Sequence, residues 1–435
     1  MIKFGTDGIR GEYGVSLTNL TAYKLGQSLG KVLDVKRLVI GMDTRESGQV
    51  LAENVIDGAR TAGVDVMFAG VVSTPLISHY SRIKNVSGVM ITASHNPFKD
   101  NGLKVFVSGE KCTHAQEMAI EAFINSDEVV EAEIHGELFS GEDVLDAYID
   151  LIESMELYET DLKIGLDSAN GANYLIARGI FQELSDDITQ IGCDPNGKNI
   201  NLGVGSTHIE AIQKLVKEDH LDIGFSFDGD GDRVLAVDGD GILYDGDKII
   251  YIIATYLKKL GLLKHNTVVL TKMSNLGIIK ALEEQGINTV MTDVGDKYVL
   301  REMKKNDYVI GGENSGHVIF RNYLETGDGL LIALMVLKIV VDQQTTLKEL
   351  TKDINMWPQV LKNLENADKK VLDLEPVKTT IEAIKKQVGN NGKVFIRPSG
   401  TEPVIRVTIS CKTDEEVEKY MNEIIEVIEN NKGAL

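Results

Sequence analysis

LDIGFSFDGDGDR, residues 221–233, runs an apolar strand into a loop in which Asp228, Asp230 and Asp232 alternate with glycines and Arg233 closes the run. Glycine lets the backbone wrap tightly, so three carboxylates at this spacing can converge on one hard cation. Without a cation the three anions would repel one another. A calcium-binding helix-loop-helix needs Gly and Glu at its sixth and twelfth positions, where this chain has Arg233 and Gly239, so that module is excluded. Magnesium takes one or a few carboxylates and completes its shell with water or phosphate oxygens. The neighbouring DGDG at 238–241 reads as a Gly-Asp hairpin turn.

The same strand-into-loop grammar repeats on either side. RLVIGMD (37–43), VDVMFAG (64–70), GVMITASHNP (88–97), LKIGLDSANG (162–171), NTVVLTKMSN (266–275) and DYVIGGENSGH (307–317) each run an apolar, β-rich segment toward a polar or Gly-rich loop. Most are followed by a helical pattern, which makes an α/β rhythm. The tail differs: KVFIRPSGTEPVIRVTIS reads strand, tight loop, strand, and a charged helix follows from Thr413. That is a small α+β unit. Breaks are expected near 150, 248 and 360, dividing the chain into 1–150, 151–248, 249–357 and 360–435.

A chain of 435 residues exceeds what one hydrophobic core supports, which agrees with several domains. A formal charge of −21 disfavours nucleic acid and anionic membrane, both of which need a basic face. Any phosphate site must therefore gather its cations locally. Three cysteines with no CxxC pair indicate neither a disulfide framework nor a thiolate zinc site, and fit a reducing cytoplasm. The N-terminal MIKFGTDGIRG has no apolar core of a signal segment, and the oily stretch 329–337 ends at Lys338, far short of a spanning length. No membrane anchor is expected.

Three further loops carry chemistry. In TASHNP (92–97), Ser94 ends an apolar strand but lacks the GxSxG elbow, and His95 is too close in sequence to be assumed its base. An ordinary serine hydrolase is disfavoured, and Ser94 is either a phosphate-bearing hydroxyl or part of a polar turn. In GGENSGH (311–317), Glu313, Asn314 and Ser315 suit sugar hydroxyls, with a plain turn as the alternative. In RPSGTEP (397–403), Arg397, the hydroxyls of Ser399 and Thr401 and the amide of Gly400, with Arg406 behind, would cradle a phosphate. A Pro/Gly turn is the alternative. Open α/β sheets bind ligands at the carboxyl ends of strands, and these loops sit in that kind of position.

In this order the four loops resemble the signature loops of the α-D-phosphohexomutase superfamily, and the similarity extends through FGTDGIRG (4–11), GMDTRESG (41–48) and DNGLK (100–104). The resemblance implies three related α/β domains with mixed sheets and a C-terminal α+β domain around a central cleft. It implies phosphorylation of Ser94, Mg2+ held by Ser94, Asp228, Asp230 and Asp232, sugar contacts from Glu313 and Ser315, and Arg233 on the substrate side. The distal phosphate would fall to Arg397, Ser399, Gly400, Thr401 and Arg406. Arg10 and Lys104 would lie beside the phosphoserine, with Lys104, His95 and His317 as the proton-handling candidates. A sugar 1,6-bisphosphate would act as intermediate and activator, and a homodimer is the assembly the family leaves open. Within the superfamily, FGTDGIRG, VGSTH (204–208), KMSNLG (272–277) and VGDKYVL (294–300) resemble the branch acting on hexosamine phosphates more than the branch acting on glucose and mannose phosphates. Asn314, Val204 and Lys297 depart from that branch, where glutamine, cysteine and arginine are usual. A binding protein on the same scaffold, without chemistry, is the competing class, and the intact serine and aspartates argue against it.

Overall fold

The structure, a computed structural model, describes residues 1–5, 7–365, 368–398 and 404–432. It divides into two compact units, Met1–Thr271 with Val290–Thr351, and Lys272–Thr289 with Lys352–Leu435.

The first unit contains three α/β layers in chain order. The first is a seven-stranded mixed sheet in which Arg37–Met42, Asp65–Val71, Ser87–Ile91 and Leu138–Ser140 are parallel, while Asp100–Val107 returns antiparallel against Ser87–Ile91. Ser87–Ile91 is buried at every position, as a central strand covered on both faces must be. Leu25, Leu29, Leu38, Ile40, Leu51 and Val55 lead the core beneath, supplied by that sheet and the helices Asn19–Val32 and Gly48–Thr61.

The second layer is a five-stranded sheet ordered Leu243–Tyr244, Val234–Asp238, Ile223–Phe227, Ile164–Asp167, Ile188–Ile191. Ile223–Phe227 runs parallel to Ile164–Asp167 and antiparallel to Val234–Asp238. The predicted DGDG turn is present: Asp238 Oδ1 accepts from the backbone of Asp240 (3.1 Å) and Ile242 (2.8 Å). In the third layer Thr267–Thr271 lies parallel to Ile310–Gly312, which pairs antiparallel with Val318–Phe320. The oily stretch at 329–337 forms the first turns of the helix Gly329–Asp342, buried at every position, and the helix is started by an Asp328 side chain that accepts from the Leu331 N–H. Among the described residues no helix is long and apolar enough to cross a membrane.

The second unit carries a three-stranded antiparallel sheet, Gln359–Glu365, Val404–Cys411, Gly392–Pro398, packed on Glu375–Val388 and Asp414–Asn431. The last helix follows where it was expected, capped by the Thr413 side chain, which accepts from the Glu416 N–H. Lys272–Thr289 belongs to this unit: Asn275 donates to the Trp357 carbonyl (2.8 Å) and accepts from its N–H (3.1 Å). The sequence reading of α/β layers with mixed sheets followed by an α+β end is met.

Candidate active site

Ser94 stands where the buried strand Ser87–Ile91 ends, and it is 1% exposed. Its φ of +54° is a left-handed conformation that a non-glycine residue adopts only when its surroundings hold it there. The holding groups are specific. The Ser94 N–H donates to Thr92 Oγ1 (2.8 Å), and Thr92 Oγ1 donates to Asp43 Oδ2 (2.7 Å). The Arg45 guanidinium donates to the carbonyls of Ser94 and Asn96 (both 2.8 Å), Pro97 (2.5 Å) and Asp100 (2.9 Å), and to Asp43 Oδ2 (2.9 Å). Asn201, from the second layer, donates to the Ser94 carbonyl (2.9 Å) as well. One buried fork thus satisfies the curled carbonyls of the loop and fixes where the hydroxyl points.

That hydroxyl points at the aspartates. Ser94 Oγ donates to Asp228 Oδ2 at 2.6 Å and lies 3.3 Å from His95 Nδ1. The aspartate loop is the hairpin joining Ile223–Phe227 to Val234–Asp238, whose register pairs Phe227 with Val234. Two of its glycines are demanded by space: a Cβ on Gly229 would stand 2.6 Å from the Ser94 carbonyl oxygen, and Gly231, at φ +74°, would meet the Asn173 amide at 2.6 Å. Glycine at 229 therefore permits the close approach of the two loops.

The carboxylates of Asp228, Asp230 and Asp232 are all buried and offer oxygens within 4.8 Å of one another. Asp230 Oδ1 and Asp232 Oδ1 are buried with no hydrogen-bond partner among the described residues. Buried carboxylate oxygens left without donors are costly, and hard oxygen donors converging in this way fit a divalent cation such as Mg2+. Burial and the neighbouring Asp232 and Asp230 charges push the Asp228 carboxyl well above the usual carboxylate range. Burial also acts to raise Asp232, but Lys104, His317 and Arg233 outweigh it and hold this group down to about 2. Burial, with Arg233 and Arg10 nearby, lowers His95 to about 4, so its imidazole is neutral at pH 7.

Lys104 reaches the site because Asp100–Val107 returns beside the serine strand, with Lys104 opposite Met90. Its ammonium, 2% exposed, pairs with Asp230 Oδ2 (2.7 Å), Asp232 Oδ2 (3.1 Å) and Asp7 Oδ2 (2.9 Å). Burial opposes the charge, yet these three carboxylates raise its pKa well above the ordinary lysine value. Arg10 pairs with the same Asp7 oxygen, and Arg233 Nε lies 3.7 Å from Asp232 Oδ1. Asp7 in turn meets Lys111, which also pairs with Asp296 beside His317 (Nε2 to Oδ2, 3.8 Å).

The GGENSGH loop is the hairpin between Ile310–Gly312 and Val318–Phe320. Its Gly316 carbonyl accepts from the Val234 N–H (3.1 Å), which ties it to the aspartate hairpin. Glu313 Oε1 accepts from the Gly295 N–H (2.9 Å), while Ser315 Oγ and His317 Nδ1 are buried without partners among the described residues. In the first unit, then, the structure brings together Ser94, His95, Lys104, Arg10, the three aspartates, Arg233 and the Glu313–His317 hairpin. In the second unit Arg397 and Arg406 face each other across the strand pair. Ser399, Gly400 and Thr401 lie outside the described residues. The sequence reading missed Arg45, Asp43, Asn201, Asp7 and Lys111. Arg45 and Asp43 lay inside a quoted motif, but nothing in their spacing announces a carbonyl cage assembled from four separate positions.

Family models described as phosphoglucomutase/phosphomannomutase alpha/beta/alpha domains I, II and III match residues 1–131, 146–241 and 245–356, and the model of the C-terminal domain matches 361–427. The chain belongs to the phosphoglucomutase/phosphomannomutase family. Its relatives over the full length include phosphoglucosamine mutases. That of Oceanobacillus iheyensis is 43% identical over 444 residues, and that of Streptococcus uberis is 44% identical over 444 residues, each match covering 99% of both chains. The fold is shared with a phosphoglucomutase/phosphomannomutase family protein of Burkholderia thailandensis, with TM-score 0.84, 23% identity and coverage of 99% of this chain and 98% of that one. It is shared also with an Aspergillus fumigatus N-acetylphosphoglucosamine mutase solved with GlcNAc-6P and magnesium, with TM-score 0.71, 17% identity and coverage of 99% and 96%.

Proposed function

We propose that this protein is a phosphoglucosamine mutase that interconverts glucosamine 6-phosphate and glucosamine 1-phosphate through a phosphoserine at Ser94. The observation that carries the reading is the buried Ser94 hydroxyl held 2.6 Å from Asp228 at the edge of the aspartate cluster. Full-length relatives that are phosphoglucosamine mutases supply the sugar. The four domains are taken as 1–150, 151–248, 249–357 and 360–435, with one of the four loops in each.

Asp228, Asp230 and Asp232 would hold Mg2+. When bound, the cation neutralises phosphoryl oxygens that carry charge throughout the transfer. The chain's own groups do the rest. Arg45, Asp43 and Asn201 fix the serine loop, so the phosphoryl group starts from one orientation. The phosphoryl group moves from Ser94 Oγ to the sugar C1 oxygen as the C1 hydroxyl gives up its proton and the displaced Ser94 oxygen takes one; the resulting 1,6-bisphosphate turns over and its 6-phosphoryl group moves to Ser94 Oγ, which gives up its proton as the freed C6 oxygen takes one. Lys104 and His317 are the groups proposed to carry those protons. Glu313 and Ser315 would contact sugar hydroxyls, and Arg397 and Arg406 the phosphate that is not reacting.

Intact-mass analysis of the purified protein should show one phosphate, absent in Ser94→Ala, whose turnover falls to background while sugar-phosphate binding persists. Full activity in that variant would overturn the phosphoserine. Comparing kcat/KM for glucosamine, glucose and mannose phosphates tests the sugar, and a preference for either neutral hexose would replace the amino sugar with that substrate.

A further inference from the structure

Asp230 is the centre of the aspartate cluster, and its two oxygens are treated differently. Oδ1 is buried with no hydrogen-bond partner among the described residues. Oδ2 accepts from Thr74 Oγ1 at 2.5 Å and from the Lys104 ammonium at 2.7 Å. The Thr74 backbone adds a second tie, its N–H donating to the Asp230 carbonyl at 2.9 Å. Thr74 is 1% exposed and opens the helix Thr74–Lys84 of the first layer, whereas Asp230 lies on the hairpin of the second. A neutral hydroxyl from one layer therefore orients a carboxylate of another.

We propose that Thr74 is a positioning residue for the cation site, holding Asp230 Oδ2 so that Oδ1 stays turned toward the point where the three carboxylates converge. The inference rests on reading Asp228, Asp230 and Asp232 as that site. The physical case is one of donors. A carboxylate free to rotate would share both oxygens with Lys104, whose ammonium can follow it. The hydroxyl is shorter, uncharged and anchored by its own helix, so it selects one rotamer without competing electrostatically for the ion. Groups behind a metal ligand that orient it in this way commonly change metal affinity by about 10–100-fold when removed.

The experiment titrates Mn2+, a spectroscopically visible substitute for Mg2+, into the full-length unphosphorylated protein, reading bound ion by electron paramagnetic resonance. Thr74→Ser and Thr74→Ala differ by one hydroxyl. The serine variant is expected within about twofold of the parent and the alanine variant weaker by about tenfold or more. Thr74→Val, which keeps the shape, replaces alanine if that variant does not fold. All three variants keep the backbone tie, so a merely structural role would not separate serine from alanine. Equal affinity for both overturns the role of Thr74. Asp230→Asn separates the two levels: if it binds Mn2+ like the parent, the aspartates are not the cation site and the underlying reading falls. If it loses the ion while alanine and serine agree, only the inference about Thr74 falls.

Discussion

Arg45 shows how much a single buried side chain can organise. Its guanidinium and the Asp43 carboxylate are both fully buried, and burial pushes the Asp43 carboxyl upward while Arg45 and Thr92 pull it back. Removing one partner of such a pair leaves an uncompensated buried charge, at a cost of about 3–5 kcal/mol. Arg45→Met is therefore expected to lower the urea midpoint substantially and to reduce kcat, because the Ser94 loop loses four carbonyl contacts. Arg45→Lys keeps the charge but not the fork, so it should recover part of the stability and little of the rate. If lysine restored turnover fully, the geometry of the fork would be irrelevant. Ser94 itself was legible as a suspect hydroxyl, since a serine ending an apolar strand is visible in sequence. Its left-handed backbone and its hydrogen bond to Asp228 were not, because both depend on groups 49 and 134 residues away.

Among the elements, the helix Gly329–Asp342 carries a pH dependence. Its cap, Asp328, accepts from the Tyr148 hydroxyl at 2.8 Å and from the Leu331 N–H at 3.1 Å. Burial raises the Asp328 carboxyl to about 7, with the Leu331 and Tyr148 donors opposing the shift. The unfolded group ionises near pH 4, so between about 4 and 7 the folded chain holds more protons, and stability falls as pH rises through that window. Above about 7 the loss is complete and the curve levels, with a total on the order of 4 kcal/mol. Urea unfolding at pH 5 and pH 8 should show the parent weaker at pH 8. In Asp328→Asn, where asparagine still caps, this component should vanish. An unchanged difference between the two pH values in that variant would assign the effect to other groups. The sequence announced this helix by its oily stretch. It gave no sign that Asp328 would be buried against a tyrosine from another layer.

At the scale of the whole molecule, a chain of net charge −21 concentrates three of its acidic side chains in a buried cluster, offset locally by Lys104 and Arg233. A cation that binds only the folded cluster stabilises it by mass action, about 2.7 kcal/mol at 100 times its Kd. Thermal melts are therefore expected to rise with Mg2+ and to fall back with a chelator. Asp228→Asn should abolish the response, and a melt in that variant that still rose with Mg2+ would place the stabilising ion elsewhere. The two units need not respond alike, since the aspartates belong to the first.

The sequence by itself determined the strand-into-loop order, the α+β end and the alternation of aspartate and glycine beside a suspect serine; phosphoryl transfer was implied only by the resemblance of its four loops to a known family. These are local properties, written in residue type and spacing and imposed by steric and hydrogen-bonding rules that act over a few residues. Tertiary structure decided which loops touch and in what orientation. Only there do Gly229 and the Ser94 carbonyl approach, Lys104 bridge Asp230, Asp232 and Asp7, and the Thr74 hydroxyl meet Asp230. Contacts of that kind are set by how layers pack and by the need to satisfy every buried polar group, and spacing along a chain carries no record of either.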